Sequence, residues 1–263
     1  MINFIGYVVR PHKKDLTTTI LSQLGWKYGK VGIGTLQGTK IMKIFVTGGS
    51  GLLGSSIIPM LEKEHEVIAP SKGEFDISNP TLPDTGLIGS DLIIHCAAIV
   101  NVKYGENHPK EIIETNILGT LNLTLACMEN NIKMVYISTA HVFDGKYGLY
   151  RPDDPINPIG KYAKSKAAGE LITRIYDNSL SIRTEFLPMD FPFEYAYDDK
   201  WTSKDYVDIL APKIVEKCLS DEIGVCHIGS ERRTFYEIAK QRNPNVKRGK
   251  RNENDLKDTS FYV

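Results

Sequence analysis

The sequence predicts an α/β protein with a doubly wound parallel sheet, and three observations carry that prediction. From Met42 onward, short β-branched or apolar runs alternate with amphipathic helical stretches, the pattern of parallel βαβ units. The first run meets its helix through a glycine-rich turn, Gly48-Gly49-Ser50-Gly51-Leu52-Leu53-Gly54. The chain is 263 residues long and 41% hydrophobic, enough for one sizeable core and a smaller lobe.

Taken in order, the spacing predicts strand 43–47, helix 52–64, strand 66–69, a polar loop, strand 91–96, helix 109–130, strand 133–138, helix 160–177 and strand 180–186. After Arg183 the texture changes. Pro188, Pro192 and the aromatics Phe186, Phe191, Phe193, Tyr195, Tyr197 and Trp201 crowd a stretch with few helical signals. A helix at 205–219 and a strand at 225–228 then return to the sheet. The expected organisation is a nucleotide-binding domain at 42–182 and a small C-terminal substrate lobe at 183–263. Residues 1–41 carry Arg10, Lys13, Lys14, Lys27, Lys30 and Lys40 against one acid, Asp15. They read as an extension dispensable for the fold, with Met42 as the functional start. A transit peptide is the alternative, and it lacks a clear amphipathic period. The apolar patch Ile5 to Val9 is too short for a secretory signal.

Lys+Arg and Asp+Glu both number 32, so no global field favours nucleic acid or an anionic membrane. Cys96, Cys127, Cys218 and Cys226 are scattered without metal-ligand spacing, which disfavours a zinc site or disulfide framework. No apolar run reaches the ~18 residues that span a bilayer. A cytoplasmic protein in a reducing compartment, with neither nucleic acid nor membrane as partner and no metal, is the expectation.

Gly49, Gly51 and Gly54 form G-x-G-x-x-G between a strand and a helix. In that setting one glycine permits a tight turn, one admits a pyrophosphate to the backbone, and one lets helix and strand pack closely. The helix N-terminus then offers N–H groups and a positive dipole to the phosphates. A merely flexible turn is the alternative, and the strand-to-helix context argues against it. The sheet is therefore expected to be of the Rossmann type, with a dinucleotide ligand. At the end of the second strand an NAD site wants an acid, whereas a 2′-phosphate wants hydroxyls and a cation. Ser71 and Lys72 suit NADPH, with NADH possible; no acid comes before Glu74, and Lys72 could equally be a surface lysine.

Ser138 and Thr139 end a strand, where ligands bind in open parallel sheets. Tyr162 and Lys166 are four apart on a helix, so the ammonium can lie beside the phenol. A neighbouring cation lowers a tyrosine from its usual ~10 and fits it for proton exchange. The pair alone is a weak signal; the order of glycine turn, strand-end hydroxyls and Tyr/Lys helix gives it weight. Asn116 interrupts the apolar Ile112-Ile113-Glu114-Thr115-Asn116-Ile117-Leu118. It is either a buried amide that needs partners or a surface asparagine near Gly119.

With these motifs in hand, the chain resembles the extended short-chain dehydrogenase/reductases and, among them, the dTDP-4-dehydrorhamnose reductase family. The resemblance rests on Val46 to Gly54, Cys96-Ala97-Ala98, Asn116, Tyr136 to Gly145, Tyr162 to Glu170, Arg183-Thr184 and Lys257 to Ser260. It implies that Thr139, Tyr162 and Lys166 are the catalytic trio: Tyr162 gives a proton to a ketone oxygen, Thr139 hydrogen-bonds it, and Lys166 holds the nicotinamide ribose and depresses the tyrosine. Asn116 would hold a water linked to Lys166. Asp76-Ile77 would lie beside the adenine; Cys96, Ala97, Ala98 and Ser138 would border the cofactor. Thr139, Arg183 and Trp201 are the expected substrate contacts, with Trp201 either stacking on a base or packing the lobe.

The chain also departs from the family. Ala140-His141 replace the usual Asp-Tyr, and His141 reads as a packed or partly exposed imidazole more than a catalytic one. The missing acid argues against a 4,6-dehydratase, which places Asp-Glu there. Val100, Val102 and Lys103 stand where the family carries Thr and Val-Asp, and the stretch from Arg183 to Trp201 is short. The implied function is NADPH-dependent reduction of a nucleotide-linked 4-keto-6-deoxysugar, with a homodimer left open. The alternatives are an NAD-dependent nucleotide-sugar epimerase and a non-catalytic NADP-binding subunit like the β subunit of methionine adenosyltransferase.

Overall fold

Residues 40–263, apart from 84 and 254, are described by the computed structural model; the expectations for residues 1–39 lie outside the described residues. Strand β1 (Lys43–Thr47) is buried from Ile44 onward and leads through the glycine turn into α1 (Leu52–Leu61). The chain continues through β2 (Glu66–Ile68), β3 (Leu92–His95), α2 (Val102–Asn107) and α3 (Pro109–Ile112). Then come a π-helical turn at Ile113–Leu118, α4 (Gly119–Asn130), β4 (Lys133–Thr139), α5 (Gly160–Thr173) and β5 (Ser179–Thr184).

β1 pairs in parallel with β2 on one side and β3 on the other, and β3, β4 and β5 follow in parallel. Both faces are covered. Ile44 and Val46 of β1, Ile94, Val135 and Ile182 share one cluster with Leu53, Ile57 and Leu61 of α1 and with Leu210 and Ile214 further along the chain. Phe45, Ile93 and Met134, one residue out of phase, face Leu123 and Cys127 of α4 and the Phe75–Leu87 loop. This is the alternation expected of a strand buried on both sides. The expected Rossmann-type sheet is therefore present. Its topological switch lies between β1 and β3, where ligand sites of such sheets open.

Beyond β5 the chain forms β6 (Phe186–Leu187), β7 (Tyr195–Tyr197), β8 (Trp201–Thr202) and β9 (Asp205–Tyr206). It returns to the sheet with α6 (Val207–Leu219) and β10 (Gly224–Ile228), which pairs in parallel with β5. The order across the six strands is β10-β5-β4-β3-β1-β2. β11 (Arg233–Thr234), α7 (Phe235–Lys240) and β12 (Lys247–Gly249) finish the lobe. Three short pairs, β6 with β9, β8 with β11 and β7 with β12, hold it over a core of Leu187, Phe191, Ala196, Tyr206, Ile238, Ala239 and Val246.

Some elements differ from expectation. α2 was not foreseen, because Gly105 and the polar run around it weaken the helical pattern; Asn101 caps it by accepting from Tyr104 N–H at 2.9 Å. Helix 109–130 is not one α-helix but α3 and α4 joined by the π turn. α7 carries a capping box, with Thr234 and Glu237 each accepting from the other's backbone N–H. Among the described residues no helix is long and apolar enough to cross a membrane.

Candidate active site

A cavity of about 400 Å³ opens at the carboxyl ends of β1, β3, β4 and β5. Its floor is the glycine turn. Gly48, not one of the three motif glycines, takes the left-handed conformation (φ +71°), and Gly51 N–H closes the turn on Gly48 C=O at 3.0 Å. A Cβ on Gly48 would sit 2.6 Å from Ala97 N, so the turn lies against the backbone after β3. A Cβ on Gly54 would sit 2.3 Å from Gly48 O, which is the close helix approach that the third glycine was expected to provide. Gly48, Gly51, Leu52, Leu53 and Gly54 line the cavity with Cys96 and Ala98. Gly49 packs on Ile58 and Ala69 instead, and Ser50 is exposed.

On the opposite wall stand Ser138, Thr139, Tyr162 and Lys166. Thr139 ends β4 and caps a short 3₁₀ turn, accepting from His141 N–H at 3.2 Å. The Thr139 hydroxyl and the Tyr162 phenol share this wall of the cavity. Burial pushes Tyr162 up to about 12; the Thr139 contact opposes this and Glu185 adds to it. Lys166 does not depress the tyrosine as expected. Its Nζ donates to Ile137 C=O at 2.7 Å and stands 4.1 Å from the centre of the Tyr136 ring. Burial brings Lys166 down to about 7, against the opposing influence of Cys96 and Glu170.

Asn116 is buried, as its amide character demanded. Oδ1 accepts from Ile99 N–H at 2.8 Å; Nδ2 donates to Ile99 C=O at 3.1 Å and to Ser165 Oγ at 2.9 Å. The π turn brings this side chain inward, tying the loop after β3 to the helix turn that carries Lys166. The surface alternative is thereby overturned.

Other expected contacts are not brought to the cavity. Arg183 is fully buried in β5, where its guanidinium grips Glu170 (Nη2 to Oε1 2.7 Å, Nε to Oε2 3.0 Å) and donates to Pro152 C=O. Ser138 turns its hydroxyl to the same carboxylate at 2.6 Å. The reason is electrostatic: a buried Glu170 needs its charge matched and its lone pairs filled. Trp201 lies under the Arg232 guanidinium, 3.9 Å from ring centre to Cζ, in the lobe. Ser71 and Lys72 are exposed, and Glu74 accepts from both Ser71 N–H and Oγ (2.9 and 2.8 Å). Asp76 accepts from Ser78, and Ile77 packs under Gly119.

Sequence reading missed Glu185 and Lys204, which line the cavity beside His141 and Phe186. Glu185 directly follows β5, and Thr184 is in register with Thr139. The strand-end rule that singled out Thr139 therefore applies to Glu185 as well. His141 Nε2 meets Glu185 Oε1 at 2.8 Å; the imidazole, expected to be packed or partly exposed, is partly exposed and lines the cavity.

Fold and site together define a Rossmann-type α/β protein with the strand-end threonine and Tyr-x-x-x-Lys helix of the short-chain dehydrogenase/reductases. Residues 42–187 match the RmlD substrate binding domain family, and the chain belongs to it. A dTDP-4-dehydrorhamnose reductase of Aggregatibacter actinomycetemcomitans is 33% identical over 151 residues, 55% of this chain and 51% of that protein. The chain spans about half the length of the curated relatives it matches. The structure of a dTDP-4-dehydrorhamnose reductase from Bacillus anthracis in complex with NADP aligns with a TM-score of 0.75 at 23% identity, covering 85% of this chain and 90% of that one. A hypothetical dTDP-4-dehydrorhamnose reductase from Sulfolobus tokodaii aligns at 0.74 with 26% identity, covering 84% and 92%.

Proposed function

We propose that this cavity reduces the ketone of a nucleotide-linked 4-keto-6-deoxysugar at the expense of NADPH. The observation that carries the reading is that Thr139, Tyr162 and Lys166 line one cavity with the glycine turn. The turn fits a dinucleotide: side chains at Gly48 and Gly54 would collide with backbone, and the α1 N-terminus supplies amides to a diphosphate. Bound there, NADPH supplies a hydride. The chain's own residues do the rest. Thr139 and Tyr162 hold the ketone oxygen, and Tyr162, protonated at neutral pH, gives its proton to the alkoxide, a stronger base than phenolate. Lys166, with its proton poised near neutrality by burial, can help reload the phenol. Glu185, Phe186 and Lys204 form the substrate side of this reading, with cofactor binding by 42–182 and substrate binding by the lobe at 183–263. The relatives' names support this chemistry, and a cytoplasmic setting suits it.

The test is to mix the protein with NADPH or NADH and a panel of nucleotide 4-keto-sugars and follow absorbance of the reduced nicotinamide. Sugar-dependent loss of NADPH absorbance is expected. Binding of NADPH without consumption on any keto-sugar would point instead to a non-catalytic binding subunit.

A further inference from the structure

Glu185 and His141 face the same cavity as Tyr162 and take no part in the transfers described above. Both oxygens of the Glu185 carboxylate are engaged. Oε1 meets His141 Nε2 at 2.8 Å and Lys204 Nζ at 3.8 Å; Oε2 accepts from Thr259 Oγ1 at 2.9 Å and Thr202 Oγ1 at 3.2 Å. Burial works to raise this carboxyl, but Lys204, His141 and Lys200 outweigh it and hold it well below the usual range. An ionised carboxylate on one nitrogen of an imidazole orients the ring and favours proton uptake at the other.

The orientation matters because of what lies next to the ring. His141 stands edge-on to Tyr162, with centroids 6.0 Å apart at 77°, and its backbone N–H donates to Thr139 Oγ1. The imidazole is thus beside the two hydroxyls that would hold a ketone oxygen. Donors aimed at that oxygen stabilise the negative charge of an enolate and so acidify the neighbouring C–H bonds.

We propose that His141, oriented by Glu185, removes and returns a proton on a carbon adjacent to the ketone, so that the site enolises its substrate as well as reducing it. The proposal rests on the reductase reading of the same cavity. The C–H bond breaks, its electron pair becomes the enolate double bond, and the carbonyl π pair moves onto oxygen under Thr139 and Tyr162. The proton rests on Nδ1, the nitrogen not engaged by Glu185. Its return restores the ketone. No electrons leave the substrate, so no oxidant is required. His141 is the catalytic residue of this step and Glu185 a positioning residue.

The experiment uses the full chain and a dTDP-linked 4-keto-6-deoxyhexose in D₂O without NADPH, with proton NMR of the positions flanking the ketone. NADPH consumption on the same compound is measured alongside. Native protein is expected to exchange these hydrogens faster than buffer alone. The ratio of exchange to reduction should fall about 100-fold in His141→Gln and about tenfold in Glu185→Gln, since a positioned base contributes ~10²–10⁴-fold. A folding defect would lower both rates together and leave the ratio in place. Reduction by native protein without exchange would overturn the proposal and leave the reductase reading standing, and an unchanged ratio in His141→Gln would also overturn it. Exchange without reduction would support the enolisation and overturn the reductase reading; absence of both would overturn both.

Discussion

The Lys166 ammonium bonds the carbonyl of Ile137 at 2.7 Å. The lysine has left water and gained no ionised partner among its hydrogen bonds, which is why burial brings it down to about 7. The folded protein therefore binds fewer protons than the unfolded chain once pH exceeds about 7. Stability on this account rises with pH from there toward the unfolded lysine value of ~10.4, and the cost of charging the buried amine is fully present below the folded value. Lys166→Met should flatten this rise. Thermal melts of the protein without cofactor at pH 6 to 9 test it; identical pH slopes in the two proteins would refute it.

Tyr162→Phe removes the hydroxyl and little else. Turnover should fall by at least about 100-fold, the scale of a lost general acid, while NADPH binding, followed by nicotinamide fluorescence, persists. Native rates in this variant would remove Tyr162 from the proton path.

Much of this site is written in local sequence. The glycine turn was legible because Gly54 must clear Gly48 O, a constraint no other residue satisfies, and the sheet because each strand is a short apolar run. The π turn was not. It is flanked by Gly105 lying close to Ile112 and Gly119 close to Ile77, contacts that no local periodicity reveals. The lobe's strands are two or three residues long, too short to show alternation. Glu185 escaped notice because, in one dimension, it is a lone acid after a strand; only the lateral pairing of β4 and β5 brings it to His141.

Gly54→Ala should destroy the turn rather than adjust it. The added methyl meets Gly48 O and Gly49 Cα at 2.3 and 2.7 Å, both backbone atoms that cannot move aside independently. Overpacking of this kind costs ~1–3 kcal/mol. The melting temperature should drop by several degrees and NADPH affinity by more than tenfold on the scale of ~1.4 kcal/mol per decade; calorimetry and a binding titration measure both.

Glu74 offers a test of cofactor choice beyond the end of β2. Two hydrogen bonds from Ser71 hold its carboxylate and its pKa is lowered, first by the backbone and then by the hydroxyl contact. An ionised acid beside Ser71 competes with a 2′-phosphate for the same donors. Glu74→Ala should raise preference for NADPH over NADH several-fold, more strongly at low salt because the site is exposed. Dissociation constants for both cofactors at two ionic strengths decide it; an unchanged ratio would free Ser71 and Lys72 of any part in selecting the phosphate.

Arg183 was expected to touch substrate, and its position in β5 makes a different prediction. It is 1% exposed and is bound on one side to Glu170, itself shared with Ser138, and on another face to the Phe143 ring at 4.9 Å. Removing one partner of such a pair leaves an uncompensated buried charge, a loss of ~3–5 kcal/mol. Arg183→Met should therefore unfold at a temperature many degrees lower, whatever its effect on the substrate KM. Removing both charges tests the cause, because the desolvation penalty then disappears from both sides: Arg183→Met with Glu170→Met should recover much of the loss. If Arg183→Met instead kept the native melting temperature and raised KM alone, the guanidinium would belong to the substrate site after all.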